Sequence, residues 1–116
     1  MEVKENKAIY LQIADYLMDA VISGKYKECE RIPSVRECAI ELEVNVNTCM
    51  RAFEWLCQRD VIFLKRGLGY FVSKGAKKTI LKEQRKEFFE ETVPIIQGKM
   101  RNLNISIEEL IERISQ

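Results

Sequence analysis

The feature that most restricts what this chain can fold into is the change of hydrophobic period at Val61. Before it, apolar residues recur every three or four positions; after it, two short apolar stretches flank a glycine-containing loop. The first spacing places apolar side chains on one stripe of a helix, and the second pattern is that of paired strands. A chain that makes this change in this order builds helices first and a hairpin after them.

The helical part divides into three. Ile9, Ile13, Tyr16, Leu17, Ala20 and Val21 predict a first helix over residues 8–23, closed by Gly24. A polar connector, residues 25–31, leads to Ile32-Pro33-Ser34, where Pro33 holds the residue before it extended. Ser34 and Glu37 have capping-box spacing and open a second helix over 34–42, with Val35, Cys38, Ala39 and Leu42 inward. After a tight turn at Glu43-Val44, Asn45 caps a third helix reaching about Gln58, whose apolar side is Cys49, Ala52, Phe53 and Leu56. Two helices this close match helix-turn-helix spacing. Val61-Ile62-Phe63-Leu64 and Tyr70-Phe71-Val72 then read as strands around Lys65-Arg66-Gly67-Leu68-Gly69. Tyr10, Phe53, Phe63 and Phe71 are assigned to the core. Trp55 lies off the main apolar side of the third helix, covering either the tail or a dimer mate.

Beyond a polar connector over 73–78, the pattern turns helical again. Phe89, Val93, Ile96, Met100, Leu103, Ile107, Leu110 and Ile114 alternate at four and three, the seam by which helices pair. Pro94 removes a backbone donor and kinks the helix, and Gly98 weakens it. Asn104 suits the left-handed end of a helix, and Ser106 with Glu109 offers another capping box. The fold class expected is mainly α with a small β-hairpin. A winged helix-turn-helix over residues 1–75 is followed by a short α-helical dimerisation tail over 76–116.

Composition narrows the function. Residues 1–75 hold eleven Lys/Arg against eleven Asp/Glu, and the remainder eight against seven, for a net charge of +1. Any contact with nucleic acid therefore depends on charge that the fold gathers locally. No apolar run approaches membrane-span length, and MEVKENKAIY lacks the apolar stretch of a leader, so a cytoplasmic location is expected. Histidine is absent, which removes the commonest general base and metal ligand. Catalysis, a cofactor and a metal site are not expected. Cys29, Cys38, Cys49 and Cys57 form no C-x-x-C pair and read as free thiols, with Cys38 and Cys49 at buried apolar positions.

Ala8-Ile9-Tyr10-Leu11-Gln12-Ile13, Gly24 and Ile32-Pro33-Ser34-Val35-Arg36-Glu37 resemble the start of the GntR family of bacterial regulators. The likeness continues through Val44, Asn47-Thr48, Arg51-Ala52, Leu56 and Arg66-Gly67-Leu68-Gly69-Tyr70-Phe71-Val72, in order and with family spacing. Leu103-Asn104-Ile105-Ser106 before a last helix is similar to the YtrA subfamily, whose members carry small dimerisation helices in place of a ligand domain. That resemblance implies a DNA-binding regulator, often of genes for ABC-type transport systems. It also implies that Arg36 reaches the operator. Cys29 and Asp60 stand where the family often has glycine. Val46 and Met50 replace frequent recognition-helix arginines, and Leu68 a frequent wing arginine.

The implied chemistry is specific. A recognition helix enters the major groove, where each base pair shows its own donor and acceptor pattern. Its exposed early positions are Asn45, Val46, Asn47, Thr48, Met50 and Arg51. Asn47 can bond an adenine edge, Val46 and Thr48 can pack on thymine methyls, and Arg51 can reach phosphate or guanine. Lys65 and Arg66 precede the wing tip, where Gly67 lets the backbone approach a minor groove without a Cβ. Expected partners are a palindromic double-stranded operator and a second copy of the chain, with occupation of the site acting as repression. A small-molecule effector stays open and would sit at the dimer interface or on the winged domain; Phe88 and Phe89 suit such a pocket or plain packing. Two other readings stay open, a winged protein-interaction module and a thiol-based sensor.

Overall fold

The structure is a computed structural model describing residues 6–116. Residues 1–5, part of the polar start read as carrying no leader, lie outside the described residues. Helix α1 (Ile9–Ile22) has no side-chain cap, and Gln12 instead reaches back to donate to the Lys7 carbonyl at 2.8 Å. Lys7 also pairs with Asp15. Helix α2 (Val35–Leu42) opens on the full capping box: Glu37 N–H donates to Ser34 Oγ at 3.1 Å, and Ser34 N–H to Glu37 Oε1 at 3.2 Å. Both donors would otherwise lack a partner at a helix start. The bond from Ser34 N–H, with a further one from the Ser34 side chain, holds the Glu37 carboxyl below its ordinary value. Helix α3 (Val46–Gln58) is capped by Asn45, whose Oδ1 accepts from Asn47 N–H at 2.8 Å.

Three helices end alike although none has glycine at the critical place. Val44 N–H donates to Ala39 O at 3.0 Å, Val61 to Leu56 O at 3.0 Å, and Ile105 to Met100 O at 2.9 Å. Each six-to-one bond needs a left-handed residue just before the donor, and Glu43, Asp60 and Asn104 supply it with φ of 56°, 57° and 55°. Asp and Asn take that conformation at lower cost than most residues. The substitution of aspartate for family glycine at position 60 is therefore a mild one.

Strands β1 (Ile62–Lys65) and β2 (Gly69–Val72) pair antiparallel in the register Ile62↔Val72, Phe63↔Phe71, Leu64↔Tyr70 and Lys65↔Gly69. Ile62 and Val72 thus turn inward, and Phe63 and Phe71 turn to the opposite face. This corrects the assignment of those two phenylalanines to the core. Phe71 is half-buried, and Phe63, 36% exposed, stacks on it with ring centroids 5.9 Å apart. The hairpin also gains an edge. The connector after α1 pairs with β2 through the bridge Arg31↔Phe71, with Cys29 N–H on Val72 O, Val72 N–H on Glu30 O and Ile32 N–H on Tyr70 O.

The core lies among α1, α2, α3 and the hairpin. Ile13, Phe53, Leu56, Val61, Val72 and Cys49 are fully buried, and Ile80 closes one side. Tyr10 and Trp55 are half-buried and pack against it, Trp55 with the Arg59 guanidinium 3.7 Å above its ring. Burying each large side chain contributes roughly 1.5–3 kcal/mol. Helix α4 (Ala76–Glu87) begins inside this core, because Ala76 and Ile80 are buried. The packing accordingly divides the chain into Met1–Leu81 and Lys82–Gln116, which takes the first turn of α4 into the winged unit.

Within the second unit, a π-helical turn over Phe88–Thr92 precedes α5 (Val93–Leu103). Pro94 at the start of α5 has no N–H, and its ring crowds the carbonyl one turn back; a wider turn relieves both. Asn104 then breaks the helix, and α6 (Ile107–Ile114) starts with Ser106 Oγ accepting from Glu109 N–H at 3.1 Å, the serine half of a capping box. No residue of this unit is buried. No helix among the described residues is long and apolar enough to cross a membrane.

Candidate nucleic-acid interface

Helix α3 has two faces of opposite character. Cys49, Ala52, Phe53 and Leu56 have no exposure at all, while Asn45, Val46, Asn47, Met50 and Arg51 are exposed and Thr48 is half-buried. At 100° per residue the outward stripe centres on Asn47, with Met50 on one flank and Arg51 on the other. The flanks lean to different neighbours. Tyr70 on β2 donates its hydroxyl to Met50 Sδ at 4.0 Å, and its ring meets Phe53 edge-on at 4.9 Å. Arg51 lies on the α1 side, its guanidinium 4.0 Å from the centre of the Tyr10 ring. Glu54, one turn further along the stripe, is exposed and would repel phosphate. The exposed stripe is thus free of negative charge over the first two turns.

Arg36 is exposed at the second position of α2, the helix that precedes the turn. At the wing, Lys65, Arg66, Gly67 and Leu68 are all exposed. Leu68 N–H donates to Lys65 O at 2.9 Å, and Gly67 has φ of 80°, a conformation glycine takes without penalty. Lys65 does not hang free. Its ammonium sits 4.6 Å from the Phe71 ring centre and 5.7 Å from that of Phe63.

The structure adds a cation that sequence reasoning missed. A Cβ on Gly69 would meet Arg31 Nε at 3.0 Å, so Arg31 lies across the base of the wing over a residue that is glycine both for this space and for its φ of 115°. The signal was the Arg31↔Phe71 pairing, which a polar connector with no alternation does not announce.

The tail residues expected to pair are uncovered. Phe89, Ile96, Leu103, Ile107 and Ile114 are exposed, Ile114 by 73%, and Val93, Met100 and Leu110 are half-buried. Ile95 and Ile111 are exposed as well, which widens the apolar surface beyond the expected seam. Gln97, Met100, Arg101, Asn104, Ile105 and Ile107 line an open groove of about 430 Å³ at the corner between α5 and α6. Phe88 and Phe89 meet edge-on at 5.3 Å and are both exposed.

The thiols divide by burial. Cys38 and Cys49 are buried, Cys57 is half-buried and Cys29 is exposed. Burial pushes the Cys38 thiol up to about 12, with Cys49 beside it adding to the shift. Burial also raises Cys49 and Cys57. A protonated, enclosed thiol is a small apolar side chain rather than a nucleophile.

The sequence profile described as bacterial regulatory proteins, gntR family, matches residues 9–72, more than half of the chain. The chain belongs to the GntR family. It is 30% identical over 113 residues to the uncharacterized HTH-type transcriptional regulator YhcF of Bacillus subtilis, covering 97% of this chain and 92% of that protein. It is 31% identical over 111 residues to the HTH-type transcriptional repressor YtrA of the same organism, covering 96% of this chain and 74% of that one. Among solved structures, a GntR-family transcriptional regulator from Bacteroides thetaiotaomicron superposes with a TM-score of 0.76 at 44% identity, over 93% of this chain and 94% of that chain. This GntR protein is a DNA-binding transcriptional regulator and not an enzyme.

Proposed function

We propose that this GntR regulator is a homodimeric repressor that lays α3 of each copy into the major groove of a palindromic operator, with transporter genes among its targets. The observation that carries the reading is the two-faced α3, sealed against the core on one side and bare on the other. Asn47 is the adenine reader and Val46 and Thr48 the thymine-methyl contacts. Arg36, Arg51, Lys65, Arg66 and Arg31 supply the phosphate and minor-groove charge that a net charge of +1 does not provide globally. One winged domain makes few contacts, so pairing through α5 and α6 supplies the affinity. YtrA is a repressor by name, and its likeness over nearly the whole chain supports the same mode here.

The test is enrichment of duplexes with a randomised core on the purified chain. The expected product is an A·T-leaning inverted repeat whose half-site centres lie about 34 Å apart or a multiple of that. Binding should weaken steeply with salt, as counterion release requires. Placed over a promoter, the enriched sequence should lower transcription when the protein is present. An unrepeated half-site would sink the dimer, and no enrichment in dilute buffer would sink the whole reading.

A further inference from the structure

Arg51 can be a base reader or a backbone clamp, and its chemistry alone does not decide. Its surroundings do. It stands on the flank of the outward stripe away from Met50 and the wing, with Asn47 between them. Its guanidinium carbon lies over the Tyr10 ring, 4.0 Å from the centre, close enough for cation–π attraction. Attraction to a ring engages no oxygen acceptor, so the guanidinium keeps its N–H donors for one, and its planar fork matches the oxygens of a phosphate.

We infer that Tyr10 is a positioning residue that holds Arg51 at the border of the groove, making Arg51 a sequence-blind phosphate clamp. The inference rests on the reading of α3 as the groove-facing helix. Tyr10 sits in the first turn of α1 and is half-buried against the core, so the platform is anchored while the arginine remains exposed. Holding a long side chain in one orientation before binding removes ordering that DNA would otherwise have to impose. The aromatic ring early in α1 thereby acts on a helix distant in sequence. Met50, tied to Tyr70 on the other flank, leaves Asn47 and its neighbours Val46 and Thr48 as the positions that read.

The experiment uses the full chain and the duplex best enriched from the randomised library, together with single-base variants of that duplex. Failure of the wild-type chain to enrich any sequence defeats the underlying reading before a variant is made. Given enrichment, Arg51→Gln should lower affinity about tenfold on every duplex alike. It should leave the enriched sequence unchanged and flatten the salt dependence by about 0.9 in log–log slope for each bound chain. Tyr10→Phe keeps the ring face and should behave as wild type, whereas Tyr10→Leu should reproduce part of the affinity loss and of the slope change. In the Arg51→Gln background, Tyr10→Leu should add nothing further, which separates positioning from a general loss of fold. A changed base preference in Arg51→Gln, or an unaltered salt slope, overturns the clamp. A Tyr10→Phe variant as weak as Tyr10→Leu, or full additivity of Tyr10→Leu with Arg51→Gln, overturns the platform.

Discussion

In Met1–Leu81, side chains such as Phe53, Ile13 and Leu56 have no contact with water, whereas in Lys82–Gln116 no residue is buried at all. The two regions have similar helix chemistry: capped starts, left-handed ends and apolar stripes at the same spacing. What differs is that the first closes its stripes upon one another and the second leaves them open. Hydrophobic patterning therefore reports that a face will be covered, and does not say by which chain. Exposed apolar surface on this scale is what the proposed pairing through α5 and α6 would cover.

The strongest way to break that contrast is through the thiols of the first unit. Cys38 and Cys49 should resist a thiol reagent at neutral pH until the domain unfolds, slowed by at least about a thousandfold relative to the unfolded chain. Exposed Cys29 should react at once. Because folding raises the Cys38 thiol from its ordinary 9.0 to about 12, the folded state holds a proton that the unfolded state loses in that window. Its contribution to stability is thus complete below pH 9 and declines as pH rises from there toward 12. Prompt labelling of Cys38 in the folded protein would mean that this core opens far more readily than its packing implies.

The next effect separates the units by stability. Phe53→Ala removes a fully buried ring and should cost about 3–5 kcal/mol in denaturant unfolding, a large share of the stability of a small domain. Ile107→Asp together with Ile114→Asp should leave the winged unit's stability nearly unchanged, since both side chains are exposed within the chain. The same pair should yield a monomer by sedimentation and lower operator affinity about a hundredfold, the scale of lost avidity. A dimer of undiminished size would show that the open surface of α6 is covered by something else.

The sequence made the winged unit legible because its signals reinforce each other. The α2 capping box, the Asn45 cap and the inward residues of α3 all point to the same helices. The outward residues of α3 follow by subtraction. What stayed hidden depends on register and on distant pairs. Val61-Ile62-Phe63-Leu64 is a continuous apolar run, so period alone cannot say that Ile62 turns in and Phe63 out; pairing of Ile62 with Val72 decides it. Arg31 reaches the wing because its backbone pairs with Phe71, and Arg51 meets Tyr10 only once α1 packs on α3. Pro94 announces a disturbed helix, but the disturbance appears as a π turn in the preceding residues.

The smallest expected effect lies at the join between the connector and the hairpin, and it separates local strain from packing within the first unit. Cys29 has φ of 66° and is exposed, so its side chain returns little for an awkward backbone. The conformation is imposed by the edge pairing, since Cys29 N–H donates to Val72 O at 2.8 Å. Glycine adopts that region freely but loses more entropy on folding, and the two terms leave a net gain of about 0.5–1 kcal/mol for Cys29→Gly. Cys29→Ala removes the thiol while keeping the strain and should change stability by only a few tenths of a kcal/mol. Equal stabilisation by both substitutions would place the cost in the exposed thiol and not in the backbone. Asp60→Gly should gain less than Cys29→Gly, because aspartate already tolerates its φ of 57°.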